Sequence, residues 1–191
     1  MKKKNTGLIV LGVVIAVVVI IVGIFVSNYN SLVDLETDVE KYAGNINAEL
    51  QRRSDLIPNL VNTVKGYAAH EEKIYTDIAN ARSRLAGAST MQEKAEANDE
   101  LSSALSRLLV VVENYPDLKA NQNFIGLQDQ LEGTENRIKV ARTDYNDAVK
   151  KYNNKIRRFP SNIVAGMFGF EKAEYFEASE SAKEVPQVSF D

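Results

Sequence analysis

Few side chains in this 191-residue chain are of types that do chemistry, and their spacing narrows what they can do. There is one histidine, His70, followed by Glu71 and Glu72, and there is no cysteine. A di-iron centre in a helical bundle needs two Glu-x-x-His motifs among its carboxylates, so a single histidine cannot build it. His70-Glu71-Glu72 also lacks the second histidine of the H-E-x-x-H zinc protease motif. No serine stands in G-x-S-x-G, and no glycine-rich phosphate loop is present. Without cysteine there is no thiol nucleophile, thiolate metal site or disulfide framework. No catalytic, metal or cofactor-binding residue is assigned. No small-molecule substrate is evident, and the chain is not expected to be an enzyme.

The polar side chains suggest binding instead. Two arginine pairs stand out, Arg52-Arg53 and Arg157-Arg158. Arg53 falls on an apolar stripe, where an arginine either pairs with a carboxylate or reaches to water. Glu71 holds an equivalent place in a companion row. Around Pro58 and Pro116, the residues Arg52, Arg53, Asp55, Asn59, Tyr115, Asp117, Asn121 and Asn123 form a candidate surface for a protein partner. The same types also suit capping and turn chemistry. The formal charge is −3, and Lys2, Lys3 and Lys4 precede the apolar run, so the remainder is more acidic still. That balance argues against a nucleic-acid partner and against a bundle lying flat on anionic lipid.

Such a surface needs a scaffold and a location. Leu8 to Val26 contains no charged or polar side chain. As a helix the run covers about 28 Å, close to the ~30 Å hydrocarbon core of a bilayer. A cleaved signal has a shorter apolar region, roughly 7–15 residues, and small residues at its cleavage site. Here Phe25-Val26-Ser27-Asn28-Tyr29 follows without an A-x-A pattern, and core helices seldom lack polar residues on every face. The expectation is a short basic tail over 1–7 and an uncleaved signal-anchor span over 8–26. After the span come Asp34, Glu36, Asp38 and Glu40 before the next basic residue, Lys41. The positive-inside rule then predicts a single-pass cell-membrane protein, its N-terminus cytoplasmic and its bulk extracytoplasmic.

Residues 27–160 read as one helical bundle. Leu32, Val39, Ile46, Arg53, Leu60, Tyr67, Ile74 and Ala81 recur every seven residues, with Leu50, Ile57, Val64, Glu71, Ile78 and Leu85 beside them. Pro58 either kinks one long helix or opens a new one after a turn at Ser54–Ile57. An unbroken helix from Asn28 to Ala86 would be about 88 Å long, with no later segment able to cover it. Ala86-Gly87-Ala88-Ser89-Thr90 reads as a helix end, a turn and an N-cap. A helix over about 90–114 carries Ala97, Leu101, Ala104, Leu105, Leu108, Leu109 and Val112 on its apolar side. Tyr115-Pro116-Asp117 ends it. In the last helix, about 118–158, Phe124, Leu131, Ile138, Tyr145, Tyr152 and Phe159 stand seven apart. Phe159-Pro160 stops it. The apolar segment 161–176 either folds back onto the helices or touches lipid or a partner. The polar tail 177–191 is expected to fray.

Several blocks in order resemble the LemA family. They include Tyr29-Asn30-Ser31-Leu32-Val33, Arg52-Arg53-Ser54-Asp55-Leu56-Ile57-Pro58-Asn59-Leu60-Val61, Val64-Lys65-Gly66-Tyr67 and His70-Glu71. The likeness continues through Glu113-Asn114-Tyr115-Pro116-Asp117-Leu118-Lys119-Ala120, Asn123-Phe124, Leu127-Gln128 and Thr134-Glu135-Asn136-Arg137-Ile138. Ala141-Arg142, Tyr145-Asn146, Tyr152-Asn153, Phe159-Pro160-Ser161-Asn162, Phe168-Gly169-Phe170 and Tyr175-Phe176 complete it. Ser54 is a minor departure, standing where a larger residue is expected.

The resemblance implies a bacterial membrane protein, all-α, with one N-terminal span and an antiparallel up-and-down bundle. It favours four helices with a break near Pro58, over three with the first kinked there. It implies no enzyme activity and no ligand set. The expected function is a non-catalytic scaffold or adaptor, held in the bilayer through 8–26 and binding another membrane or envelope protein. The alternative is a structural protein that self-assembles or shapes the membrane, with 163–176 engaging lipid.

Overall fold

The computed structural model describes residues 3–177, and every regular element among them is a helix. In order these are α1 (Lys3–Lys65), α2 (Glu72–Gly87), α3 (Met91–Val112), α4 (Pro116–Lys119), α5 (Gln122–Arg157) and α6 (Ser161–Phe168). The first two residues of the basic tail, and the polar tail from residue 178 on, lie outside the described residues.

α1 is one helix of 63 residues, long and apolar enough to cross a membrane near its start. From Leu8 to Val26 its side chains are exposed on every face except at half-buried Phe25. The break expected near Pro58 is absent, and the helix carries that proline in its interior. Proline lacks the N–H that would bond the carbonyl four residues earlier, here that of Ser54. Arg82 of α2 supplies the missing donor. Its Nε is 3.0 Å from the Ser54 carbonyl oxygen and 3.1 Å from the Ser54 hydroxyl. The chain instead turns over Gly66–Glu71, where the N–H groups of Tyr67 and Ala68 both donate to the Val64 carbonyl at 2.9 Å. The Tyr75 hydroxyl fixes the turn from α2 by donating to the Ala68 carbonyl at 2.6 Å. This turn also rules out the alternative of a kinked helix running on to Ala86.

The described residues divide into two compact units. One holds α1 up to Glu40 together with Ala148–Ala173; the other holds Lys41–Asp147 and the described residues 174–177. In the second unit the stripe on α1 is buried at Ile46, Leu50, Ile57, Leu60 and Val64. Tyr75, Ile78, Ala81 and Leu85 of α2 are buried, as are Leu101, Ala104, Leu105 and Leu108 of α3 and Phe124, Ile138 and Tyr145 of α5. α2 packs on α3 across the turn read from the sequence. Thr90 is the N-cap of α3 in a complete capping box with Glu93. Pro116 opens α4 at its first turn, where a missing N–H costs nothing.

In the first unit Leu32 of α1 and Val164 and Ala165 of α6 form a buried cluster, with Phe25, Ile156 and Phe170 packed against it. The Ser161 hydroxyl donates to Asn28 Oδ1 at 2.6 Å, tying the start of α6 to α1. Gly169 ends α6 with φ of +76°, a left-handed conformation that favours glycine. The rings of Phe168 and Phe170 then lie 4.8 and 5.7 Å from that of Tyr29. The heptad row on α5 fails at its last member. The helix ends at Arg157, and Phe159 is 81 % exposed.

Candidate interaction site

Arg53 is the polar centre of the second unit. It stands on the apolar stripe of α1 and is only 5 % exposed, so it is not part of a free surface. Its Nη1 donates to Asn98 Oδ1 of α3 and lies 2.8 Å from Glu135 Oε2 of α5. Its Nη2 donates to the Ser102 hydroxyl at 3.0 Å, and that hydroxyl donates to the Asn98 carbonyl at 2.9 Å. The carboxylate partner is thus Glu135 rather than Glu71, because Glu71 falls in the turn between α1 and α2, where the heptad phase is lost. Burial lowers the guanidinium pKa, and the charges of Glu135 and Asp99 act against that shift. The buried Nε has no hydrogen-bond partner among the described residues. Such a cluster joins three helices at one level. Its desolvation cost offsets much of its attraction, so its main effect is to select register.

The eight residues expected at a partner surface separate into two places. Arg52, Asp55 and Asn59 are exposed on α1 beside buried Arg53. Asp55 accepts from Gln51 Nε2 at 2.8 Å, one helical turn earlier. The other group lies around α4. Asp117 and Asn123 are exposed there, while Tyr115 and Asn121 are half-buried. Asn121 Oδ1 accepts from the N–H groups of Asn123 and Phe124, at 2.9 and 3.2 Å, and so caps α5. Asn121 Nδ2 donates to the Tyr67 hydroxyl at 3.0 Å, linking this turn to the one after α1. The groups that can meet a partner are therefore Arg52, Asp55 and Asn59 on the helix, and Asp117 and Asn123 at the turn.

Two repeated dipeptides on α5 have a role that sequence reasoning missed. Tyr145-Asn146 and Tyr152-Asn153 stand seven residues apart, and both hold the returning chain. In the first unit Asn153 donates to the Ala173 carbonyl and accepts from its N–H, each at 2.9 Å. In the second unit Asn146 treats Phe176 the same way, at 3.1 and 2.9 Å. The Tyr145 hydroxyl adds a bond to the Glu174 carbonyl at 2.7 Å, and burial pushes its pKa up to about 12, helped by the Glu174 charge. Tyr152 is also raised to about 12, first by burial and then by Glu36, whose carboxylate accepts its hydroxyl at 3.2 Å. The sevenfold spacing was a visible signal, but it did not say what the asparagines hold.

The profile of the LemA family matches residues 42–190. The chain is 28 % identical over 186 residues to magnetosome protein MamQ 2 of Paramagnetospirillum magneticum, covering 84 % of this chain and 68 % of the relative. It is 25 % identical over 189 residues to magnetosome protein MamQ of Magnetospirillum gryphiswaldense, covering 84 % and 70 %. It is also 25 % identical over 158 residues to protein LemA of Metamycoplasma hominis, covering 82 % and 72 %. None of these names states a reaction.

Proposed function

Because this chain belongs to the LemA family, we propose that it is a non-catalytic, single-span membrane protein whose bundle binds another membrane or envelope protein. The observation that carries this reading is the unbroken α1. One helix bears both the apolar run Leu8–Val26 and the exposed polar residues Arg52, Asp55 and Asn59. The helix that supplies the apolar run therefore also carries part of the candidate surface.

The bundle is read as antiparallel and up-and-down, built from α1 beyond the span, α2, α3 and α5. In its support, contacts on α5 descend as those on α1 ascend. Glu49 pairs with Arg137 and Arg53 with Glu135, while Tyr67 beyond α1 meets Asn121 just before α5. The N-terminus is placed in the cytoplasm and the bundle outside it, on the charge difference between Lys2–Lys4 and the acidic turns after the span.

Photo-crosslinkers at Arg52, Asp55, Asn59, Asp117 and Asn123 in native membranes test the reading. A discrete adduct with one other protein is expected. Adducts between copies of this chain alone would replace the adaptor with a self-assembling structural protein.

A further inference from the structure

The turn at Phe159-Pro160 and α6 carry the most exposed apolar surface in the first unit outside the span. Phe159 is 81 % exposed, Met167 67 %, Phe168 59 % and Ile163 44 %. α6 has no charged residue, and its only polar side chains are Ser161 and Asn162 at its first turn. Its inner face is satisfied by Leu32 and Phe25 of α1. Among the described residues its outer face, with Ile163 and Met167 one turn apart, has no such cover. A helix apolar on all sides needs an apolar environment on both.

We propose that this outer face is an interfacial wedge, inserted among the lipids that surround the C-terminal end of the span. The choice of lipid rests on what the inner face touches. Phe25 belongs to the apolar run, and Leu32 lies seven residues, or about 10 Å, further along the same helix. α6 is therefore held at the level where the hydrocarbon stretch of α1 ends. Interfacial helices bury their apolar faces at that boundary, to a depth of roughly 5–10 Å. Tyr29, with Phe168 and Phe170 against it, supplies the aromatic side chains that favour this depth. Arg157 and Arg158 immediately precede Phe159 and are exposed, as headgroup phosphates would require. The wedge makes a second lipid contact beside the helix that crosses the bilayer. It rests on the reading of Leu8–Val26 as a span.

The chain contains no tryptophan, so a single introduced indole reports its own surroundings. Phe159→Trp, Met167→Trp and Phe168→Trp are made singly in the full chain. Each is reconstituted in two sets of phosphatidylcholine–phosphatidylglycerol vesicles, with acyl chains brominated near the headgroups in one and deep in the chains in the other. Ile15→Trp serves as the reference inside the span and Val110→Trp, on exposed α3 surface, as the reference in water. The three wedge indoles are expected to emit to the blue of the Val110 reference and to lose more than half their intensity to the shallow bromines. The proposal is overturned if Ile15→Trp is quenched by bromines placed deep in the chains while the wedge indoles behave like Val110→Trp. It is equally overturned if their shielding disappears on dilution with lipid, since a second copy would then be the cover. Loss of quenching at Ile15→Trp itself would instead remove the span, and the wedge with it.

Discussion

The guanidinium Nε of Arg82 donates, at 3.0 Å, to the carbonyl oxygen of Ser54, the acceptor to which Pro58 has no N–H to offer. A proline in a helix interior costs about 3 kcal/mol, partly through that lost bond. Replacing the donor from a neighbouring helix lets α1 continue, and it makes the two residues interdependent. Arg82→Ala is expected to lower stability by about 1–2 kcal/mol, as for a charge-assisted bond at a largely exposed side chain. In a Pro58→Ala background the backbone donor returns, and the same substitution should cost about 1 kcal/mol less. Thermal unfolding of the four full-length variants in nanodiscs, followed by circular dichroism, measures the coupling. Strict additivity would show that Arg82 does not compensate for the proline.

Arg53 offers a test of register against raw stability. Arg53→Met keeps the volume but orphans the buried Asn98 amide, and a loss of about 1–3 kcal/mol is expected. Adding Asn98→Leu removes the orphan and should recover most of it. Unfolding midpoints decide the energetics. Disulfide trapping between cysteines placed at positions 49 and 137 reads whether α1 and α5 keep their alignment.

Alkaline pH should loosen the contacts of Tyr145 and Tyr152. Both phenols have folded-state pKa values raised to about 12, against an unfolded value near 10. Their stabilisation is therefore complete below pH ~10 and is lost as pH rises from there through about 12. Phenolate absorbance should show Tyr145 and Tyr152 titrating late, beside Tyr75, which burial also raises, and a Tyr145→Phe, Tyr152→Phe double variant should lose two phenols from the late end.

The acid side has its own marker. Glu93 accepts the N–H groups of Ser89 and Thr90 and the Ser89 hydroxyl, which hold its carboxyl below the usual range. Its contribution is present above the unfolded value near 4.3 and is lost as pH falls through the lower folded value. Thr90→Ala should cost about 1 kcal/mol by removing the other half of the box. Glu93→Ala should flatten the acid limb of stability against pH, and midpoints measured between neutral pH and pH 3 test this.

Orientation is settled by protease digestion of a C-terminal tag in intact cells and in spheroplasts. Digestion in spheroplasts without lysis is the expected result. Protection until lysis would place the bundle in the cytoplasm. It would mean that Lys155, Arg157 and Arg158, which the fold returns to the unit holding the span, outweigh the three N-terminal lysines.

Periodicity made much of the fold legible. Leu32, Ile46, Leu60 and Phe124 are buried where their spacing puts them, and Thr90 caps α3 as its sequence suggests. The reading failed where local sequence had to be weighed against a distant partner. Pro58 looks like a break because its helper lies on another helix, 24 positions later. Arg53 looks pairable with Glu71 because a heptad count ignores the turn at Gly66, whereas its partner is 82 positions away. At the candidate site, Arg52, Asp55 and Asn59 were identifiable as polar and are exposed. Whether Asn121 was a cap or a contact could be read only once α5 was seen to start at Gln122.

The grips of Asn146 and Asn153 engage only main-chain atoms of Phe176 and Ala173. Neither asparagine inspects what side chain its captive residue carries. At position 173, where the side chain is half-buried, the lock fits any small L-residue with an N–H. At position 176 the same main-chain grip is joined by a buried ring, so Phe176 is held by its side chain as well. Proline is barred at both positions, because it has no hydrogen to offer.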